Sequence, residues 1–176
     1  MVCRSCGQVG LNTVLSLGNT PLANALLREE ELSSSESKWP LELCWCPTCS
    51  LVQISETVSP EVLFREYAYL SSFSDTMVAH ARTIADRLRE TRKLGPDSLV
   101  VEVASNDGYL LQWYHKAGVP VLGIEPARNI AQVAESERGV RTISEFFGRD
   151  LALQLVRDGM RADVIHANNV LRSEEH

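Results

Sequence analysis

The chain has 176 residues, 44% hydrophobic and 23% charged, a globular balance that excludes wholesale disorder. Its 17 basic and 23 acidic residues give a net charge of −6, the wrong sign for a general nucleic-acid binder, and no dense basic patch offsets it. No stretch approaches the roughly 20 apolar residues of a membrane span and no signal-peptide pattern opens the chain, so a cytoplasmic protein with no membrane or nucleic-acid partner is expected.

All five cysteines lie before residue 50, and four of them form two Cys-x-x-Cys pairs, Cys3/Cys6 and Cys46/Cys49. In a reducing compartment such pairs read as a metal site rather than a disulfide framework. The spacing lets both thiolates of a pair point at one ion, and four sulfurs suit tetrahedral zinc. Four thiolates leave no open coordination position, so a zinc ion here is expected to be structural. Gly7 gives the first knuckle its conformational freedom. Cys44 offers an alternative Cys-x-Cys pair with Cys46. The matching geometry of two equal knuckles favours Cys46 and Cys49, with Cys44 a small buried hydrophobe. Leu41, Leu43 and Trp45 alternate with Glu42 and Cys44, which predicts a strand running into the second knuckle. The serine tract at 33–37 reads as a solvated loop.

A helix is predicted from Asp75 to about Leu94, capped by Ser74 or Asp75 and stopped by Gly95-Pro96, with Met77, Ala81, Ile84, Ala85 and Leu88 on one apolar face. From there the pattern alternates. Strands are expected at 99–103, 119–124, 140–143 and 163–167, with helices over 109–116, 127–138 and 148–158. That is a doubly wound α/β sheet with parallel strands. The expected organisation is a zinc-binding module over 1–70, a connecting helix over 71–95 and the sheet domain over 96–176.

In such sheets ligands bind beyond the carboxyl ends of the central strands. The first strand ends in Ala104-Ser105-Asn106-Asp107-Gly108, where the glycine permits close backbone approach and the following helix start suits a carboxylate. The second strand ends in Glu125, the position from which an acid accepts hydrogen bonds from two ribose hydroxyls. The G-x-G-x-x-G pyrophosphate fingerprint is absent, which argues against a nicotinamide or flavin dinucleotide. S-adenosylmethionine (SAM), with its adenosine, ribose diol and amino-acid tail, fits better.

The motifs resemble a family. Cys3-x-x-Cys6-Gly7, Leu17-Gly18-x-x-Pro21-Leu22-Ala23-Asn24 and Cys46-x-x-Cys49-x-Leu51-Val52-Gln53 come first in chain order. Tyr67-Ala68-Tyr69-Leu70-Ser71-Ser72, the 101–108 segment, Gly123-Ile124-Glu125-Pro126, Glu145-Phe146-Phe147 and Ala167-Asn168-Asn169 follow. In this order they resemble the SAM-dependent sugar C-methyltransferases of deoxysugar biosynthesis. The resemblance implies a small amino-terminal zinc-binding module that helps close over a sugar nucleotide, followed by a partial class I, Rossmann-like methyltransferase sheet. It implies methyl transfer to C3 of a dTDP-linked 4-keto-6-deoxysugar, through abstraction of the C3 proton and an enolate. The implied cofactor residues are Glu102, Ala104, Asn106, Asp107, Gly108, Glu125, Pro126, Phe146 and Asn168. Tyr69, with Tyr67 beside it, is the implied catalytic residue, its phenol bonding the ketone or enolate oxygen. Cys3, Cys6, Cys46 and Cys49 are the implied zinc ligands.

Family members are about twice as long. Ser173 stands where they carry a histidine, and the segment supplying their base is expected beyond His176. None of His80, His115, His166 and His176 matches that base. The isolated chain is therefore expected to turn over little and to self-associate through the edge of its fourth parallel strand. The alternative expectation is a non-catalytic zinc- and SAM-binding module.

Overall fold

The computed structural model describes residues 1–23 and 25–170, so Asn24, Ser173 and His176 lie outside the described residues. Two compact units divide the chain, one covering Met1–Leu63 and the other beginning at Phe64.

The first unit is built on an antiparallel sheet of β1 (Asn12–Thr20), β2 (Trp39–Trp45) and β3 (Val52–Ile54), in that order. The strand expected ahead of the second knuckle is β2. β1 has no counterpart in the sequence reading, and the reason is physical. Eight of its nine residues are exposed, so burial imposes no alternation of apolar and polar positions, and register shifts at Thr13/Leu15 and Ser16/Asn19 break what pattern remains. A short helix, α1 (Pro60–Phe64), ends the unit.

The second unit opens with α2 (Asp75–Arg92), capped by Ser74, whose Oγ accepts from the Met77 N–H. Lys93 ends it in the left-handed conformation, just before Gly95. There follow β4 (Val100–Val103), α3 (Leu111–Lys116), β5 (Val121–Ile124), α4 (Arg128–Arg138), β6 (Thr142–Ile143), α5 (Arg149–Arg157) and β7 (Val164–His166). All four strands pair in parallel, in the order β6-β5-β4-β7. The expected alternating α/β architecture is thus observed, with every strand near its predicted place. β4 is buried at all four positions, as a parallel strand covered on both faces requires. Val100 packs with Ala81, Ala85, Tyr114 and Val140 on one face. Val101 packs with Leu122, Ile124 and Leu155 on the other. Neighbouring residues of one strand thus feed opposite cores.

The strand order is that of the first four strands of a Rossmann-like sheet. The chain moves outward from β4 to β5 and β6, then returns to pair β7 on the other side of β4. This reversal splays the connections apart and opens a crevice at the carboxyl ends of β4 and β7.

Candidate functional site: a thiol cluster and a cofactor crevice

The sulfurs of Cys3, Cys6, Cys46 and Cys49 all lie within 4.8 Å of one another. Cys3 and Cys49 are 3.5 Å apart and Cys6 and Cys46 3.7 Å. A tetrahedral zinc with bonds of about 2.3 Å demands sulfur separations of about 3.8 Å, so the donor set fits the ion. The two knuckles are alike in backbone. In the first, the Cys3 N–H donates to Gln8 O and the Gly7 N–H to Cys3 O. In the second, Cys46 N–H donates to Leu51 O and Ser50 N–H to Cys46 O. Gly7 and Ser50 occupy the same place in their turns, both left-handed at φ 72° and 65°. Backbone N–H groups facing the sulfurs, chiefly that of Cys6, bring the Cys3 thiol down to about 6, and those of Cys49 and Thr48 lower Cys46. This favours the thiolate that a metal binds at those two positions, whereas at Cys6 the lowering by the Gln8 backbone is outweighed by burial and the neighbouring sulfurs, which push the thiol up to about 12. Cys44 stands apart from the cluster, buried, with Thr13 Oγ1 at 3.7 Å.

In the second unit the loop after β4 is strained. Ala104 and Asn106 have φ of 52° and 50°, and Gly108 has 74°. A left-handed non-glycine residue costs about 1–2 kcal/mol, somewhat less for Asn, and such strain collects at working sites. Three buried polar atoms here have no protein partner: Glu102 Oε2, Ser105 Oγ and Asp107 Oδ1. Ser105 Oγ lies against Gly123 inside the unit, while the unpartnered oxygens of Glu102 and Asp107 belong to the end of β4 and its loop, and unsatisfied buried groups of this kind call for a polar partner.

Glu125, buried at the end of β5, accepts from the Asn106 N–H through Oε2 and from the Ala127 N–H through Oε1, both at 2.9 Å. Each oxygen keeps a further lone pair. Burial raises the Glu125 pKa, opposed by those two N–H groups. Glu102 is driven well above the usual carboxylate range, first by burial and then by repulsion from Asp107 and Glu125, against a 3.4 Å hydrogen bond from Asn168 Nδ2. The consequence for stability has a definite sign. Unfolded Glu102 ionises near pH 4.3, so above that the folded chain holds a proton that the unfolded chain has lost. Stability therefore falls as pH rises toward the raised folded value. Glu102→Gln is expected to remove this slope, giving a higher urea midpoint than the native chain at pH 8 but not at pH 4.5.

Several sequence-assigned residues have work inside the fold. Asn106 Oδ1 accepts from the N–H groups of Ser71 and Asp107, and its Nδ2 donates to Tyr69 O. Asp107 Oδ2 accepts from the Ser72 N–H and pairs with Arg138 at 3.2 Å. A Cβ on Gly108 would come within 3.1 Å of Val140, so this glycine serves internal packing rather than ligand approach alone. α3 spans Leu111–Lys116, and the Gln112 N–H donates to Gly108 O at 3.0 Å, so the opening turn of the helix reaches back to the glycine. Phe146 is half-buried, with the Arg65 guanidinium 4.9 Å from its ring centroid. Pro126 and Ala104 are half-buried at the strand ends, and Asn168 is exposed beside Asn169, itself left-handed at φ 58°.

Tyr67 is half-buried and Tyr69 is 47% exposed, edge-on to Phe73. Met77, His80, Ala81 and Ile84 of α2 line a cavity with Tyr109, Leu110, Asn168 and Asn169. The apolar stripe predicted for this helix is therefore shared: Ala81 and Ala85 face the core, while Met77 and Ile84 line the cavity. The sequence reading did not reach Arg65, Asn129 or Arg138, nor the buried hydrogen bond of 3.0 Å between Tyr114 and His166. These act through tertiary contacts, and no local motif announces them.

Comparison with known proteins bears on both units. A family model described as "Putative zinc binding domain" matches residues 3–64. C-methyltransferase NovU of Streptomyces niveus is 37% identical over 153 residues, which is 87% of this chain and 36% of that protein. The chain thus spans about a third of that relative's length. A solved X-ray structure, YjhP from E. coli, is 23% identical over 45% of this chain and 33% of that one, with a TM-score of 0.32, a likeness too slight to carry an argument. Residues 3–64, which hold the thiol cluster, are thus similar to a zinc-binding domain, and most of the chain is similar to part of a C-methyltransferase.

Proposed function

We propose that the chain carries the structural zinc domain and the cofactor-holding strands of a SAM-dependent C-methyltransferase acting on a nucleotide-linked keto-sugar. The observation that carries this reading is the crevice itself. A strained loop follows β4 beside the reversal of strand order, its Asn106 N–H is held by the buried Glu125 after β5, and Glu102 Oε2 and Asp107 Oδ1 have no protein partner. The absence of a pyrophosphate fingerprint and the similarity to a C-methyltransferase both favour SAM over a dinucleotide.

When bound, the cofactor supplies an electrophilic methyl group on a sulfonium. The chain's residues hold it. Glu125 has lone pairs left for two ribose hydroxyls, and Glu102 and Asn168 lie next to the loop with a free carboxyl oxygen for the amino-acid tail. Phe146 and Pro126 offer apolar surface to the base, and Ala104, Asn106, Asp107 and Gly108 shape the loop. The family resemblance further supports C3 of a dTDP-4-keto-6-deoxysugar as the acceptor. The C3 proton is acidic because the neighbouring ketone holds the carbanion as an enolate. The Tyr69 phenol, or that of Tyr67, donates to that oxygen where charge develops.

Calorimetry on the zinc-loaded chain tests the reading. The native chain is expected to bind SAM. Glu125→Gln is expected to bind about 100-fold more weakly, because it loses charge-assisted bonds worth about 1.5–3 kcal/mol each and turns an amide N–H toward backbone donors. No SAM binding by the native chain overturns the proposal. Binding without transfer of a labelled methyl group to a keto-sugar nucleotide would identify a zinc- and cofactor-binding module instead.

A further inference from the structure

The segment from Arg65 to Ser72 runs along the carboxyl ends of three strands in turn. Past β6, Arg65 donates to Ser144 O, pairs with Glu145 and covers Phe146. Past β5, Arg65 O accepts from the Arg128 N–H, and Tyr67 meets Asn129. Past β4, Tyr69 O and the Ser71 N–H meet Asn106, and the Ser72 N–H meets Asp107. The order of contacts follows the order of strands, so the backbone that carries the two tyrosines crosses the carboxyl ends of the sheet.

Two of these anchors share one device. Asn129 Oδ1 accepts from the Tyr67 N–H at 3.2 Å while its Nδ2 donates to Tyr67 O at 2.7 Å. Asn106 does the same across Tyr69 O and the Ser71 N–H, at 3.1 and 2.8 Å. A carboxamide carries one donor face and one acceptor face, as a peptide group does, so each asparagine pairs with the segment as a neighbouring strand would. No other common side chain of this length does both. Asp would set a carboxylate against a carbonyl, and Ala leaves both groups unpaired. Arg138 Nη2 completes the series by donating to Ser72 Oγ at 2.8 Å.

We propose that Asn129 is a positioning residue for Tyr67 and Tyr69. It ties the tyrosine segment to the first turn of α4, four residues after Glu125. The element that reads the cofactor's ribose would then also set where the phenols stand. This rests on the function proposed above, and the test separates the two. Asn129→Ala and Asn129→Asp are made in the full zinc-loaded chain, and amide hydrogen exchange is followed by NMR. Exchange at Tyr67 is expected to quicken at least tenfold in Asn129→Ala and by an intermediate factor in Asn129→Asp, while Val101 and Leu122 of the sheet stay within twofold. The shift of the Tyr69 ring resonances on adding SAM is expected to shrink by more than half in Asn129→Ala, with SAM affinity within about threefold of native. Unchanged exchange at Tyr67, a matching loss of protection in the sheet, or an undiminished Tyr69 response overturns the positioning role. A native chain that ignores SAM overturns the functional reading, and exchange at Tyr67 still decides the tether.

Discussion

Chelation of the zinc, or Cys46→Ser, is expected to unfold residues 1–63 while β4 and β5 keep their protected amides. The argument is one of inventory. Within the described part of that unit the buried residues are Cys3, Cys44, Cys46 and Gln53. Two of the four are metal ligands. Gln53 is spent on hydrogen bonds, accepting from the Arg4 N–H and donating to Val2 O. The large apolar side chains of the sheet are open to solvent: Leu15 is 50% exposed, Leu43 and Trp45 37%, and Val52 50%. A unit of this size without an apolar core has nothing to set against the chain entropy of ordering its residues, which runs at about 1–2 kcal/mol for each backbone position. Structural zinc in small domains contributes about 10 kcal/mol or more, and that contribution is folding free energy. The other unit has buried clusters on both faces of its sheet and needs no such support. Hydrogen exchange read separately at the Cys44 and Gln53 amides and at those of Val101 and Leu122 checks this. Protection that survives chelation at Cys44 would remove the metal from the fold.

What the sequence revealed and what it withheld divide along the same physical line. Burial writes periodicity into a sequence. β4, covered on both faces, reads as the unbroken run Leu99–Val103. α2 reads from Ala81 and Ala85, and its cap from Ser74. The cysteine pairs are legible because coordination fixes their spacing. β1 left no trace because it buries nothing, and its bulges spoil the alternation. At the candidate site, Glu125 and the loop of 104–108 stand out in the sequence by their place at the strand ends. Their internal duties were not, because the partners of Asn106 and Asp107 lie some 35 residues away in the Tyr69–Ser72 segment. Asn129 and Arg138 sit on an ordinary amphipathic helix, where one exposed amide or one arginine looks like any other until the chain opposite is in place.

Asp107 carries the second large expected effect. Its side chain is wholly buried, and Oδ2 lies 3.2 Å from Arg138 Nη2, a guanidinium itself only 15% exposed. The same nitrogen donates to Ser72 Oγ, and the same carboxylate oxygen accepts from the Ser72 N–H. One ion pair therefore joins the loop after β4, the end of α4 and the tyrosine segment. Removing Asp107 leaves Arg138, among the described residues, only the exposed Glu137 at 4.0 Å as an ion-pair partner, and breaking a buried pair in this way costs about 3–5 kcal/mol. Asp107→Ala is accordingly expected to lower the melting temperature of the parallel-sheet unit by about 15 °C or more, at about 4–8 °C for each kcal/mol in a domain of this size. Asp107→Asn keeps the shape and one acceptor for Ser72, and is expected to cost about half as much. The double variant Asp107→Leu/Arg138→Met removes both charges. It is expected to recover much of the loss, since apolar replacement of a buried pair is often near neutral. The cycle formed by the single and double variants isolates the coupling between the two side chains. Single variants that each cost less than about 1 kcal/mol, with additive effects in the pair, would show that solvent reaches the site and that the segment bearing Tyr69 is held by its Arg65 and asparagine anchors without the ion pair.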